Sequence, residues 1–157
     1  MSIKPIPDSY PVVSPYLCVD GAEDAIVFYG AVFGATERMR LASPDGKIGH
    51  AELAIGDSVV MLSDEFPDWG VRGPGAYGGT PVTLGVYVED VDATFARAIE
   101  LGAQASRPVE DQFYGDRSGQ FFDPWGHRWS VASRIEDVAP HEMARRAAAA
   151  MGAATES

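Results

Sequence analysis

The chain has 157 residues, 46% of them hydrophobic and 22% charged, which suits one globular domain with a real core. Twelve Lys and Arg against 23 Asp and Glu give a formal net charge of −11, which argues against nonspecific binding to nucleic acid or anionic membranes, since both need clustered positive charge. The single cysteine, Cys18, excludes an intrachain disulfide and a cysteine-based zinc cluster.

Residues 1–11 form a lead-in with Pro5, Pro7 and Pro11. It lacks the apolar core of a secretion signal, and no apolar run in the chain approaches membrane-spanning length, so a cytoplasmic protein is expected. Val12–Val19 reads as a strand, with Cys18 as a small buried hydrophobe. Asp20 is the predicted N-cap of a helix, with Glu23 completing a capping box. Ile26, Tyr29, Val32 and Phe33 keep helical spacing, and Gly34 fits the position just past the helix end. Strands over Thr36–Ala42 and Ile48–Ile55 follow, joined by Ser43-Pro44-Asp45-Gly46, and a Gly56-Asp57 turn leads into a strand over Ser58–Ser63. A Gly- and Pro-rich connection spans 64–81 and carries Phe66, Trp69 and Tyr77; so long a stretch without periodicity reads as a functional loop or a linker between units.

The pattern then restarts. Val82–Val88 is a strand, Asp90 a cap, and Val91, Phe95, Ala98 and Ile99 are helix-spaced before Gly102. Strands are predicted over Ala103–Pro108, Ser118–Phe122 and His127–Ser133, with Asp123-Pro124-Trp125-Gly126 turning between the last two. The order of strand, cap, helix and glycine repeats, which indicates two tandem βαβββ units, 12–63 and 82–134. The tail, 135–157, starts a helix at Pro140 that is expected to fray after Met151 and to serve packing or docking. The fold class is α+β: a curved mixed sheet forming a cup, with the helices outside.

Period-two alternation sorts each strand into an apolar face for the helices and a mixed face for the cup. The mixed face collects Tyr16, His50, Glu52, Met61, Ser63, Thr83, Tyr87, Arg128 and Ser130. Such amphipathic residues suit a small-molecule pocket. His50 and Glu52 stand two apart on one strand. They read either as a general base steered by a carboxylate or as a polar pair satisfied by Arg128 or Tyr87. A metal seeded on this pair would need Asp116 or His141 as further ligands.

The stretch 19–29, Phe33-Gly34-Ala35 and Asp123-Pro124-Trp125-Gly126-His127 resemble the vicinal oxygen chelate superfamily, which includes glyoxalase I, bleomycin-resistance proteins, fosfomycin-resistance transferases and extradiol dioxygenases. His50-Ala51-Glu52-Leu53 and the run from Asp111 to Gly119 resemble its bacterial glyoxalase/bleomycin-resistance-like branch. The likeness covers Pro11–Ser133 and implies a homodimer. In metal-dependent members, His, Gln or Glu ligands come from the first and last strands of each unit. Those positions fall here on Ser14, Met61, Thr83 and Ser130, which do not suit a divalent metal. A shift of two residues reaches Tyr16, Val59 or Ser63, Gly85 and Arg128, which suit it no better. His127 belongs to the turn and is given no ligand role.

The expectation is therefore a metal-independent binder of an aromatic or apolar small molecule, of the bleomycin-resistance type and without a cofactor. Its contacts would be Tyr16, Met61, Trp69, Thr83, Tyr87, Phe113, Arg128 and Ser130. The alternative is a lyase or isomerase, or a dioxygenase-related enzyme, using His50 and Glu52 with or without a divalent metal.

Overall fold

The computed structural model describes residues 2–155 and folds them into two compact units. One holds the chain up to Pro81 together with Trp125–His127; the other holds Val82–Pro124 and the chain from Arg128.

The first unit comprises β1 (Tyr16–Val19), α1 (Ala22–Phe33), β2 (Thr36–Ala42), β3 (Ile48–Ile55) and β4 (Ser58–Asp64). Its sheet runs β1-β4-β3-β2, with β1 parallel to β4 and the other pairs antiparallel. The second comprises β5 (Thr83–Tyr87), α2 (Val91–Glu100), β6 (Gln104–Asp111), β7 (Asp116–Phe122) and β8 (Arg128–Arg134), followed by α3 (Pro140–Thr155). Its sheet runs β5-β8-β7-β6, again with only the first pair parallel. The βαβββ repeat is thus realised as two four-stranded mixed sheets of identical order, one per unit.

The alternation read from the sequence decides which face each helix covers. Leu17, Val19, Ala51, Leu53 and Leu62 are buried, and α1 lies against β1, β3 and β4 with Ala25, Phe28, Tyr29 and Val32 buried. In the second unit α2 lies against β6, β7 and β8, with Phe95 set edge-on to Phe121 at 6.1 Å. Gly119 makes that approach possible, since a Cβ there would come within 2.9 Å of Val109 and 3.1 Å of Phe95. Each large apolar side chain buried in this way contributes about 1.5–3 kcal/mol.

The start of α1 differs from expectation. Gly21 takes the cap position with φ 111°, so Asp20 is not the acceptor. Asp64, at the end of β4, accepts instead from the Gly21 and Ala22 amides at 3.1 and 2.8 Å through one oxygen, and from the Ile48 amide at 2.7 Å through the other. Glu23, the expected capping-box partner, faces Arg40 at 3.6 Å. In the second unit Asp90 caps α2 as expected, accepting from the Ala93 amide at 3.1 Å. Ser133, three residues past Ser130 as Asp64 is past Met61, accepts from the Val91 amide at 3.1 Å and donates to the Val88 carbonyl at 2.6 Å. In both units the end of the last strand holds the start of the unit's own helix.

Three boundaries also move. β1 begins at Tyr16 rather than Val12, because Pro15 has no amide to donate; its carbonyl alone joins the ladder, accepting from the Met61 amide at 2.9 Å. β6 continues through Pro108 to Asp111; it is an edge strand, and its register slips between Arg107 and Glu110, where a proline can be accommodated. α3 continues past Met151 to Thr155, sustained by an alanine-rich run with high helix propensity, while the last two residues lie outside those described.

Candidate functional site

On the mixed face of the first sheet, Tyr16, Met61 and Glu52 lie side by side across β1, β4 and β3. His50 is two residues along β3 from Glu52 and points to the same side. Its Nε2 is 2.8 Å from Glu52 Oε2 and its Nδ1 is 2.7 Å from the Tyr16 hydroxyl. Tyr10, from the lead-in, donates to Glu52 Oε1 at 2.7 Å. An ionised carboxylate only accepts, so neutral His50 carries its proton on Nε2 and accepts from Tyr16 through Nδ1. The result is a line of hydrogen bonds, Tyr16–His50–Glu52–Tyr10, whose Tyr16 end is 52% exposed while Glu52 is 4% exposed. Hydrogen bonding from His50, and then from Tyr10, holds the Glu52 carboxyl below its ordinary range despite burial. Burial pushes the Tyr16 hydroxyl up, and burial pushes the Cys18 thiol to about 11, which leaves that thiol a poor nucleophile.

The second unit carries a cavity of about 200 Å³ on the corresponding face. Gly85, Val86 and Tyr87 of β5, Asp116 and Ser118 of β7, Ser130 and Ala132 of β8, and Tyr114 line it. Asp116 is 7% exposed, and its Oδ2 accepts from the Tyr87 hydroxyl at 2.8 Å. The β6–β7 turn that carries Tyr114 is anchored: the Gly115 carbonyl accepts from the Ile135 and Glu136 amides at 2.9 and 3.0 Å, and Arg146 of α3 donates to the Phe113 carbonyl at 3.1 Å. Gly115 has φ 96°, and a Cβ there would overlap the Glu136 carbonyl.

Gly85 is the residue that leaves this space open. It pairs with Ser130 midway along β5, an edge strand of the sheet, its φ is not in the left-handed range, and a Cβ would meet nothing within 4 Å. Backbone geometry does not require a glycine there, and a strand glycine costs stability. Gly85→Val is accordingly expected to leave stability unchanged or raised by up to about 1 kcal/mol. A ligand of this cavity should bind about tenfold more weakly or worse. Thermal melts and a binding titration of the same variant check both halves.

The residues at the family's ligand positions do not fit a divalent metal. Ser14 offers a hydroxyl that is buried without a hydrogen-bond partner among the described residues, Met61 a thioether, Thr83 and Ser130 hydroxyls. Among the described residues, no three His, Cys, Asp or Glu side chains gather at one place. Asp116 is engaged by Tyr87, and His141 is exposed in the first turn of α3, so neither completes a set with His50 and Glu52.

The other expected contacts scatter more than the sequence suggested. Thr83 pairs with Arg128 at the edge of the second sheet, and the Arg128 guanidinium sits over the Phe122 ring at 5.0 Å. Trp69 lies in a short 3₁₀ turn, Pro67–Trp69, and is 86% exposed. Phe113 is in the β6–β7 turn, packed edge-on to Tyr114 at 5.2 Å. The expectation that Arg128 or Tyr87 satisfies the His50–Glu52 pair is overturned. Tyr10 and Tyr16 do so, while Tyr87 is committed to Asp116 and Arg128 to Phe122. Tyr10 and Tyr114 escaped notice because they precede or interrupt strands, where alternation gives no face. Asp116 was expected only as a further metal ligand, because the expected strand began at Ser118, two residues after β7 in fact starts. His127, given no ligand role, donates from Nε2 to the Cys18 carbonyl at 2.9 Å, and Trp125 beside it donates to the Asp20 carbonyl at 2.9 Å.

Comparison with known proteins agrees with this architecture. The sequence model described as the glyoxalase/bleomycin resistance protein/dioxygenase superfamily matches residues 11–131. An uncharacterized protein of Mycobacterium bovis is 46% identical over 131 residues, covering 82% of this chain and 86% of that protein. The crystal structure of TioX from Micromonospora superposes with a TM-score of 0.62 at 28% identity, covering 78% of this chain and 98% of the other. The fosfomycin resistance protein FosX of Listeria monocytogenes, solved with Mn(II) and sulfate, shares the fold at a TM-score of 0.60 and 17% identity, covering 87% of this chain and 96% of the other. A profile spanning most of the chain, a repeat realised as two sheets of the same order, and these structural matches together place the chain in the glyoxalase/bleomycin resistance protein/dioxygenase superfamily.

Proposed function

We propose that this chain is a metal-independent binder of a small organic molecule with aromatic or apolar character, in the manner of the bleomycin-resistance members of its superfamily. The observation that carries this reading is Met61. It lies between Tyr16 and Glu52 in the row where metal-dependent members place a carboxylate, and it offers a polarisable apolar surface instead. In the first unit Tyr16 adds aromatic surface and His50 and Glu52 polar orientation; in the second, taken by itself, Tyr87 and Phe113 offer aromatic surface and Thr83, Arg128 and Ser130 polar groups. The binder is taken to work as a cytoplasmic homodimer with no nucleic-acid partner, which suits its net charge of −11. Light scattering of the purified protein tests the dimer.

A thermal-shift screen of aromatic metabolites and antibiotics, bleomycin included, tests the binding. A ligand at a hundred times its Kd adds about 2.7 kcal/mol, a rise of roughly 5–10 °C for a chain of this size. The shift should survive excess EDTA. A ligand whose shift vanishes with EDTA and returns with a divalent ion would overturn metal independence.

A second reading rests on the line Tyr16–His50–Glu52. A half-exposed phenol backed by an imidazole and a buried carboxylate is equipped for acid–base catalysis, as in a lyase or isomerase. Under that reading Tyr16→Phe abolishes turnover of a bound ligand, whereas a pure binder loses only affinity.

A further inference from the structure

We infer that the cavity of the second unit is a cation subsite, taking the ammonium group of an amine together with the first few carbons attached to it. The inference rests on the small-molecule binding reading and assigns a ligand chemistry to one part of it. Asp116 is the one carboxylate among the residues that line the cavity. It is 7% exposed, one oxygen is held by Tyr87 at 2.8 Å, and among the described residues it forms no ion pair. Arg134, its register partner across β7 and β8, is near enough for its charge to act on the Tyr87 hydroxyl, yet it is exposed and forms no salt bridge with Asp116. A carboxylate withdrawn from water without a direct salt bridge is costly, and a cation entering the cavity would offset that cost.

The rest of the lining suits the same guest. Ser118 and Ser130 present hydroxyl oxygens that accept N–H donors, and Gly85 leaves the wall bare. Tyr87 and Tyr114 add aromatic surface to the lining, which favours a cation, and Val86 and Ala132 add apolar surface for the attached carbons. One carboxylate with two hydroxyls is too few charged donors for a divalent metal, and the carboxylate repels an anion. At about 200 Å³ the space is below the 300–1,000 Å³ of sites that enclose a drug-sized ligand, so it fits a head group rather than a whole molecule. The net charge of −11 favours the approach of cations over long range.

The test is an amide NMR titration of the full chain with benzylamine and with benzyl alcohol, its uncharged counterpart. Benzylamine should shift the Gly85, Asp116 and Ser118 amides saturably, with benzyl alcohol at least about tenfold weaker. Asp116→Asn, which keeps an acceptor for Tyr87, should weaken benzylamine by about tenfold and leave benzyl alcohol within about twofold. Equal affinity for the two probes overturns the cation subsite while leaving small-molecule binding intact, and so does undiminished benzylamine binding by Asp116→Asn. Shifts that avoid the cavity residues overturn it as well. If Asp116→Asn does not fold, judged by the buried Trp129 indole resonance, the comparison of the two probes on the unaltered protein decides.

Discussion

Asp64→Ala is expected to destabilise the protein by about 3 kcal/mol and to lower its melting temperature by roughly 6–12 °C. Asp64 accepts three backbone amides, two at the start of α1 and one at the start of β3, from a side chain that is 9% exposed. Losing a helix cap costs about 0.5–2 kcal/mol, and each buried amide left without an acceptor costs about 1–3. Water reaching the exposed part of the site recovers some of this, which sets the net near the lower sum. Asp64→Asn should be intermediate: its carbonyl oxygen replaces one carboxylate oxygen, but its amide nitrogen then faces a donor. Ser133→Ala, which removes one accepted amide and one donated bond at the matching place in the second unit, should cost about 1–2 kcal/mol. Hydrogen exchange supplies the local readout. In Asp64→Ala the Ala22 and Ile48 amides should exchange faster than amides elsewhere in the first sheet. A melt within 0.5 kcal/mol of wild type would show that Gly21 alone starts the helix.

The Asp64 cap also shows where reading the sequence stops. Local rules pointed to Asp20 and Glu23, and the same kind of rule was correct for Asp90 in the second unit. The two differ because Gly21 intervenes with a left-handed backbone, and the acceptor then arrives from 42 residues away. Interactions within one strand or one helix were legible. β2 and β3 ended where alternation and turn residues placed them, and Gly34 closed α1 with φ 68°. The repeat was legible because both units obey the same order of strands, although the register that sets Met61 beside Tyr16 and Glu52 needed the sheet itself.

The candidate site follows the same division. His50 and Glu52 were visible as neighbours on one face, because a period of two puts any pair two apart on the same side. Their partners were not, since Tyr10 lies before the first strand in a Pro-rich lead-in with no periodicity to orient it. Gly85 gave a signal that went unused. A glycine in the middle of a β-rich run has no local purpose, and its role becomes evident only when the space beside it is seen to be lined by Asp116, Ser118 and Ser130.

Glu52→Gln is expected to cost about 3 kcal/mol at neutral pH. Glu52 accepts from Tyr10 at 2.7 Å and from His50 at 2.8 Å while only 4% exposed. A glutamine carbonyl can serve one of these donors, and its amide group then confronts the other. The loss combines a charge-assisted bond, about 1.5–3 kcal/mol, with a donor left poorly satisfied. The effect has a definite dependence on pH. Hydrogen bonding from His50 first, and from Tyr10, lowers the Glu52 carboxyl below the 4.5 of an unperturbed glutamate. A carboxyl lowered by folding contributes stability that is fully present above the unfolded value and is lost as pH falls through the folded one. The gap between wild type and Glu52→Gln should therefore narrow progressively as pH falls below about 4.5. A second readout is the Tyr10 hydroxyl, raised above 10.0 chiefly by its bond to the Glu52 carboxylate. In Glu52→Gln its ultraviolet titration should move back toward the ordinary value. In a double-mutant cycle, Tyr10→Phe and Glu52→Gln should be non-additive, because each removes the same Tyr10–Glu52 hydrogen bond. A gap that stays constant down to pH 2, or widens there, would mean that Glu52 is not held as a carboxylate, and the line from Tyr10 to Tyr16 would then lose the charge that orders it.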